Sequence, residues 1–245
     1  MIEKQYGFLN INKPSGMTSF DVVSKVRRAL GTRKVGHLGT IDKAGAGVLP
    51  VAVGAATKFF DFFLSKDKEY IAYFKFGEQT DTLDSYGTIT SKNNKIIHIQ
   101  DLEKAAKQMI GEQMQLPPMF SAVKVGGKRA SDRTLVGEDV VLAPRKIVIY
   151  SFDVLEELET NLFAVKIHCS AGTYVRSIMR DIACLLGTCG TMIGIIRTKS
   201  GAFEIENSIT LDEISWDNVI LPSEVVDIGE VSNEKLKRLL VDNNE

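Results

Sequence analysis

The chain has 245 residues, 44% of them hydrophobic and 25% charged, which excludes a disordered or fibrous protein and allows one or two globular domains. No apolar run reaches the roughly 18 residues of a membrane span, and the opening M-I-E-K-Q-Y-G lacks the basic-then-apolar order of a secretory signal. Net charge is −1, yet residues 204–245 hold 11 acids and 3 bases, so residues 1–203 carry +7, a body compatible with a polyanionic partner.

In chain order, residues 7–12 (G-F-L-N-I-N) alternate and predict a half-buried strand. Lys13-Pro14-Ser15-Gly16 is a turn, and Thr18-Ser19 followed by Asp21 predicts a helix N-cap. Phe20, Val23, Val26 and Leu30 then recur at helical spacing as the apolar face. The same helix carries Lys25, Arg27 and Arg28, with Arg33 and Lys34 just beyond, either as a solvated face or as phosphate contacts.

Residues 35–58 (V-G-H-L-G-T-I-D-K-A-G-A-G-V-L-P-V-A-V-G-A-A-T-K) contain five glycines and a single acid, Asp42. Glycine is favoured where the backbone takes positive φ or passes close to another group. Asp42 precedes a predicted buried strand over residues 48–53. It is either a functional carboxylate displayed at a strand end or a solvated turn residue. The glycine spacing matches neither a P-loop nor a dinucleotide fingerprint. Residues 55–64 predict a helix.

Residues 70–77 predict a strand with Tyr70, Ala72, Phe74 and Phe76 on one face. Residues 78–87 read as a polar loop, whose Asp81 and Asp84 lack a third ligand at metal-binding spacing. Residues 102–110 predict a short amphipathic helix, and Gly126-Gly127 a hairpin turn after P-P-M-F-S-A-V-K. Residues 147–155 and 162–169 predict strands. Residues 172–186 predict a helix with Tyr174, Ile178, Ile182 and Leu185 on its apolar side. Three cysteines, Cys169, Cys184 and Cys189, form no disulfide framework and, with His168, no zinc spacing. That pattern fits a reducing cytoplasm.

The run G-H-x-G-T-x-D followed by G-V-L-P-V-x-x-G-x-A-T-K resembles the catalytic segment of TruB-type bacterial tRNA pseudouridine synthases. Four further blocks fall in the family's order: N-K-P-S-G-M-T-S (12–19), K-E-Y (68–70), Q-L-P-P-M-F-S-A-V-K (115–124) and C-S-A-G-T-Y-V-R (169–176). The resemblance implies an α/β (α+β) catalytic domain over residues 1–203, with a central, mainly antiparallel sheet flanked by helices. It implies a monomer that isomerises a uridine in the T-arm stem-loop of tRNA, most simply position 55, with no membrane, metal or cofactor.

Carried over residue by residue, Asp42 is the nucleophile and Arg176 lies against it. Tyr70 stacks on the flipped base and serves in proton transfer. Tyr174 and Ile195 complete the pocket, and His37 contacts the RNA. Where the family has Pro-Leu after the aspartate this chain has Lys43-Ala44, which predicts a looser loop. Ala171 stands at a family lysine, and Ser131 and Leu135 at a family tyrosine and arginine. Residues 204–245 predict a short acidic extension in place of the family's RNA-binding PUA domain. The alternatives are a non-catalytic tRNA-binding protein and a synthase for another RNA.

Overall fold

The computed structural model describes residues 6–241 apart from 122, 131, 132, 134–137 and 139, with backbone alone at 124, 125, 128 and 129. The chain forms two compact units, one of the residues up to Glu69 and from Ile196 onward, the other spanning Tyr70–Ile195. No helix among the described residues is long and apolar enough to cross a membrane.

The first unit opens with β1 (Gly7–Lys13), α1 (Ser19–Ala29), β2 (Val35–His37) and β3 (Ala46–Val53). β3, an A-G-V-L-P-V-A-V run buried along nearly its whole length, pairs antiparallel with both β1 and β2. Such continuous apolarity is what a strand covered on both faces requires. β1 is likewise buried on both faces, where its alternation predicted one. Leu9 and Ile11 join the cluster under α1, while Phe8 packs edge-on against Phe59, Phe63 and Phe203.

The N-cap of α1 is the predicted one. Thr18 Oγ1 accepts from the Asp21 N–H (3.1 Å), and Asp21 Oδ2 accepts from the Thr18 N–H (2.9 Å), a reciprocal capping box. Val22, Val23, Val26 and Leu30 are buried, but Phe20 is 60% exposed. Ser19 takes the inward place at that turn, its hydroxyl donating to the Ile41 carbonyl (3.1 Å) and accepting from the Ile41 N–H (3.0 Å). The helix expected over 55–64 divides into a 3₁₀ segment (Gly54–Phe59) and α2 (Phe60–Leu64).

The second unit contains most of β4 (Lys68–Phe76), then β5 (Glu78–Thr80), β6 (Ile89–Lys92), α3 (Ile99–Gln108) and β7 (Gly111–Gln115). There follow β8 (Lys124–Val125), β9 (Lys128–Arg129), β10 (Arg145–Glu159), β11 (Leu162–Cys169), α4 (Val175–Leu185) and the first part of β12 (Gly190–Ser200). Its sheet runs β4-β11-β10-β7, with β10 antiparallel to both neighbours.

Phe74, Phe76, Phe163 and Ile167 from the strands, Leu102 and Ala106 from α3, and Ile178 and Ile182 from α4 form one apolar core. Leu185, expected on the apolar side of α4, is 56% exposed at its last residue. Gly126 and Gly127 both take positive φ (59° and 83°), the geometry of the tight β8–β9 turn.

The chain re-enters the first unit along β12, where Ile196 pairs with Ala46 and Arg197 with Gly47. This pairing is parallel; β13 (Phe203–Glu204) then folds back on β12 antiparallel. Gly47 has φ +98°, and a Cβ there would run into the backbone N, C and O of Arg197. Gly47→Ala is therefore expected to lower stability by about 2 kcal/mol or more. A shift in urea midpoint worth under ~0.5 kcal/mol would contradict that reading.

Beyond β13 the acid-rich segment lies along β1. Phe8 and Ile220 exchange backbone hydrogen bonds (2.8 and 2.7 Å), and Ile209 bonds to both Asn10 and Asn12. α5 (Pro222–Val225) and α6 (Glu234–Val241) follow, with Val226, Val231 and Leu240 buried in the cluster around Phe8.

Candidate active site

Asp42 lies in the loop between β2 and β3, exposed, on a backbone with little freedom. Every carbonyl from Gly39 to Ala44 accepts a hydrogen bond. Arg197 Nη2 and Nη1 reach Gly39 and Thr40 (3.3 Å each), while Ser19 Oγ reaches Ile41. The Gly45 N–H closes a turn onto Asp42 (2.9 Å), the Gly16 N–H donates to Lys43 (2.8 Å) and Ser15 Oγ to Ala44 (2.7 Å). The β1–α1 turn thus supplies at Lys43 and Ala44 the restraint a proline would have given. The expected looser loop is not what the hydrogen bonding describes. A carboxylate displayed in this way is positioned by its scaffold.

Two buried cations underlie the loop. Arg197, 2% exposed, adds a third bond from Nε to the Val48 carbonyl (2.8 Å). Its planar fork suits three carbonyls that diverge from one point. Lys13 is fully buried and donates from Nζ to the carbonyls of Met17 (2.7 Å) and Pro14 (3.0 Å). Burial lowers its pKa from 10.5 to about 8; the negative charge of Asp42 opposes that, and the charge of Arg197 adds to it.

The folded value lies below the unfolded one, so between pH 8 and 10.5 the unfolded chain binds more protons. Stability is expected to rise with pH across that window. Urea midpoints for wild type and Lys13→Met should therefore diverge as pH increases. Parallel curves would contradict the assignment.

His37 ends β2, half-buried, opposite Val51 of β3. It and Asp42 belong to the first unit; Tyr70, Tyr174, Arg176 and Ile195 belong to the second. Tyr70 and Ile195 pack against the same core as Phe74, and Tyr174 against Val123, Ala130, Val140 and Leu142. Ala171 is half-buried just before α4; Ser131 and Leu135 lie outside the described residues.

Arg176 occupies the first turn of α4 and is 6% exposed. Its Nη1 donates to the Thr82 carbonyl (3.0 Å) and stands 3.5 Å from Asp84 Oδ2, while Nη2 donates to the Phe120 carbonyl (3.1 Å). Asp84 is 9% exposed and also accepts from Thr82 Oγ1 (2.7 Å) and the Tyr86 N–H (3.1 Å). It is a buried acid paired with an arginine, not the plain polar-turn residue its context predicted. Asp81, accepting from the Thr88 N–H (2.9 Å), is such a turn residue.

Gln115, 2% exposed, brackets the Tyr174 peptide: Oε1 accepts from its N–H (2.8 Å) and Nε2 donates to its carbonyl (3.2 Å). Ser177 Oγ and Arg180 Nη2 both donate to the Leu116 carbonyl (2.8 and 3.0 Å). The Q-L-P-P-M-F segment is thereby tied to the start of α4. Sequence reasoning missed Lys13, Arg197, Asp84 and Gln115. The available signal was a charged residue at an inward position of an apolar strand pattern, as in I-I-R-T.

A model of the TruB family pseudouridylate synthase N-terminal domain matches residues 27–175. The tRNA pseudouridine synthase B of Borreliella burgdorferi is 40% identical over 215 residues, covering 87% of this chain and 76% of that protein. The Clostridioides difficile protein of the same name is 42% identical over 228 residues, covering 91% and 75%. Among solved structures, a Cbf5-Nop10-Gar1 complex superposes with a TM-score of 0.68 at 30% identity, covering 98% of this chain and 60% of that one. An H/ACA RNP bound to a substrate RNA containing 2′-deoxyuridine gives 0.65 at 28%, covering 86% and 53%. The chain thus spans about three quarters of the curated relatives and less than two thirds of those solved chains.

Proposed function

The chain belongs to the TruB family of pseudouridylate synthases, and we propose that it isomerises a uridine in the T-arm stem-loop of tRNA, position 55, using Asp42 as covalent nucleophile. The observation that carries the assignment is the loop itself: one exposed carboxylate on a backbone with six consecutive carbonyls engaged, above two buried cations.

The reaction breaks the N1–C1′ bond, turns the base and joins C5 to C1′. The C5 proton leaves and N1 gains one, so substrate and product are isomers. A carboxylate suits this chemistry because it attacks and is then expelled. No electron or phosphoryl group moves, so these steps call for no redox or nucleotide cofactor. The target must leave its stack, which is easier in a loop than in a duplex.

Tyr70 is assigned the base stack and proton transfer at C5, and Arg176 a fixed positive charge that Thr82, Phe120 and Asp84 hold in one orientation. His37, Tyr174 and Ile195 are assigned to contacts with the flipped nucleotide and its neighbours. The +7 charge of residues 1–203 supports RNA binding, and the cysteine pattern supports a cytoplasmic setting.

The test is to treat unmodified tRNA transcripts and a T-arm stem-loop with the protein and map pseudouridine by carbodiimide-directed primer extension. A single stop at position 55 in both substrates is expected. Stops elsewhere, or in other RNAs only, would reassign the target. Binding without any stop would favour the non-catalytic reading.

A further inference from the structure

Phe20 stands where the helical pattern calls for a core residue, yet it is 60% exposed. Large apolar side chains left bare beside a functional loop are informative where scattered ones are not. Phe20 is next to Ser19, whose hydroxyl holds Ile41, so it emerges one residue from a direct bond to the Asp42 loop.

Its surroundings are cationic. The Arg27 guanidinium lies 5.6 Å from the centre of its ring and is fixed there by Nη2 donating to the Val35 carbonyl (3.0 Å). Arg28, exposed, follows two turns along the same side of α1. Lys43, exposed, stands where the family has proline, its carbonyl pinned by the Gly16 N–H. The Asp21 carboxyl is held below its usual value by hydrogen bonds from the Thr18 hydroxyl and N–H, with a smaller contribution from the charge of Lys43. Asp21 itself is committed to the cap, accepting from both the hydroxyl and the N–H of Thr18 (2.7 and 2.9 Å). Residues 20–43 together carry six basic and two acidic side chains, net +4.

We infer that the exposed side of α1, together with the turn after Asp42, is an RNA-docking surface: Phe20 forms a stacking platform for a nucleotide flanking the target uridine, and Lys43 and Arg28 contact its neighbouring phosphates. An aromatic ring backed by arginine and flanked by cations is the combination that unstacked single-stranded RNA recognises. The inference rests on the proposed RNA substrate and adds where its strand lies.

The test measures binding of the T-arm stem-loop by anisotropy from low to moderate salt for wild type, Phe20→Ala and Arg28→Gln/Lys43→Gln. Phe20→Ala should weaken binding about tenfold with the salt dependence unchanged. The double variant should reduce the slope of log K against log salt by about 1.5, the release expected for two phosphate contacts. The melting temperature should stay at the wild-type value for both variants.

Wild-type affinity and slope in the variants would overturn the inference. So would a turnover defect with unchanged binding. Salt-dependent binding by a wild type that forms no pseudouridine would instead sink the enzymatic reading and leave the docking surface standing.

Discussion

Asp42→Asn is expected to abolish turnover, lowering the single-turnover rate by about 10⁴-fold or more, while leaving folding and RNA affinity near wild type. The amide keeps the shape of the carboxylate and loses the charge that attacks and leaves. Asp42 is exposed and the loop is held by bonds to its backbone, while its charge also favours the protonated form of buried Lys13. The loss of stability should therefore be small, about 1 kcal/mol or less. A urea titration, stem-loop anisotropy and a quenched time course read the three quantities separately. Loss of activity together with loss of fold would place Asp42 in the structure instead of the chemistry.

Arg197→Lys has the larger structural consequence although it preserves charge. The guanidinium engages the carbonyls of Gly39, Thr40 and Val48 at once, from a site 2% exposed. An ammonium cannot match that fork, and carbonyls buried without donors cost about 1–3 kcal/mol each. We expect stability to fall by about 2–4 kcal/mol. Because the released carbonyls flank Asp42, turnover of the still-folded fraction should drop by about 10²-fold, the cost of roughly an ångström of misplacement. A variant with wild-type turnover would show that the loop is held by the Ser15, Gly16 and Ser19 bonds alone.

Much of this was legible from local rules. The Thr18 cap, the buried β3, the Gly126-Gly127 turn and the strands β10 and β11 each follow from a few neighbouring residues, and the structure reproduces them. Taken alone, Asp42 reads as either a turn residue or a functional carboxylate, and the family resemblance singles it out; one of the glycines around it, Gly47, is required by the backbone of Arg197.

What stayed hidden depends on contacts distant in sequence. Nothing near Arg197 announces that it holds the carbonyls of Thr40 and Gly39, 157 and 158 residues earlier in the chain. Asp84 looks like a turn residue until Arg176 is folded against it. Phe20 and Leu185 fit a helical stripe by spacing, yet the buried arc of each helix is narrower than the stripe.

The most direct measurement is tritium release from a T-arm stem-loop labelled at C5 of its uridines, followed for wild type and Asp42→Ala. Forming the C5–C1′ bond must expel the C5 hydrogen, so release counts turnovers at the atom where the new bond is made. One equivalent is expected to be released per target uridine by the wild type and none by the variant. Release that persists in Asp42→Ala, or a wild type that binds the stem-loop and releases nothing, would contradict Asp42 as the nucleophile of a pseudouridine synthase.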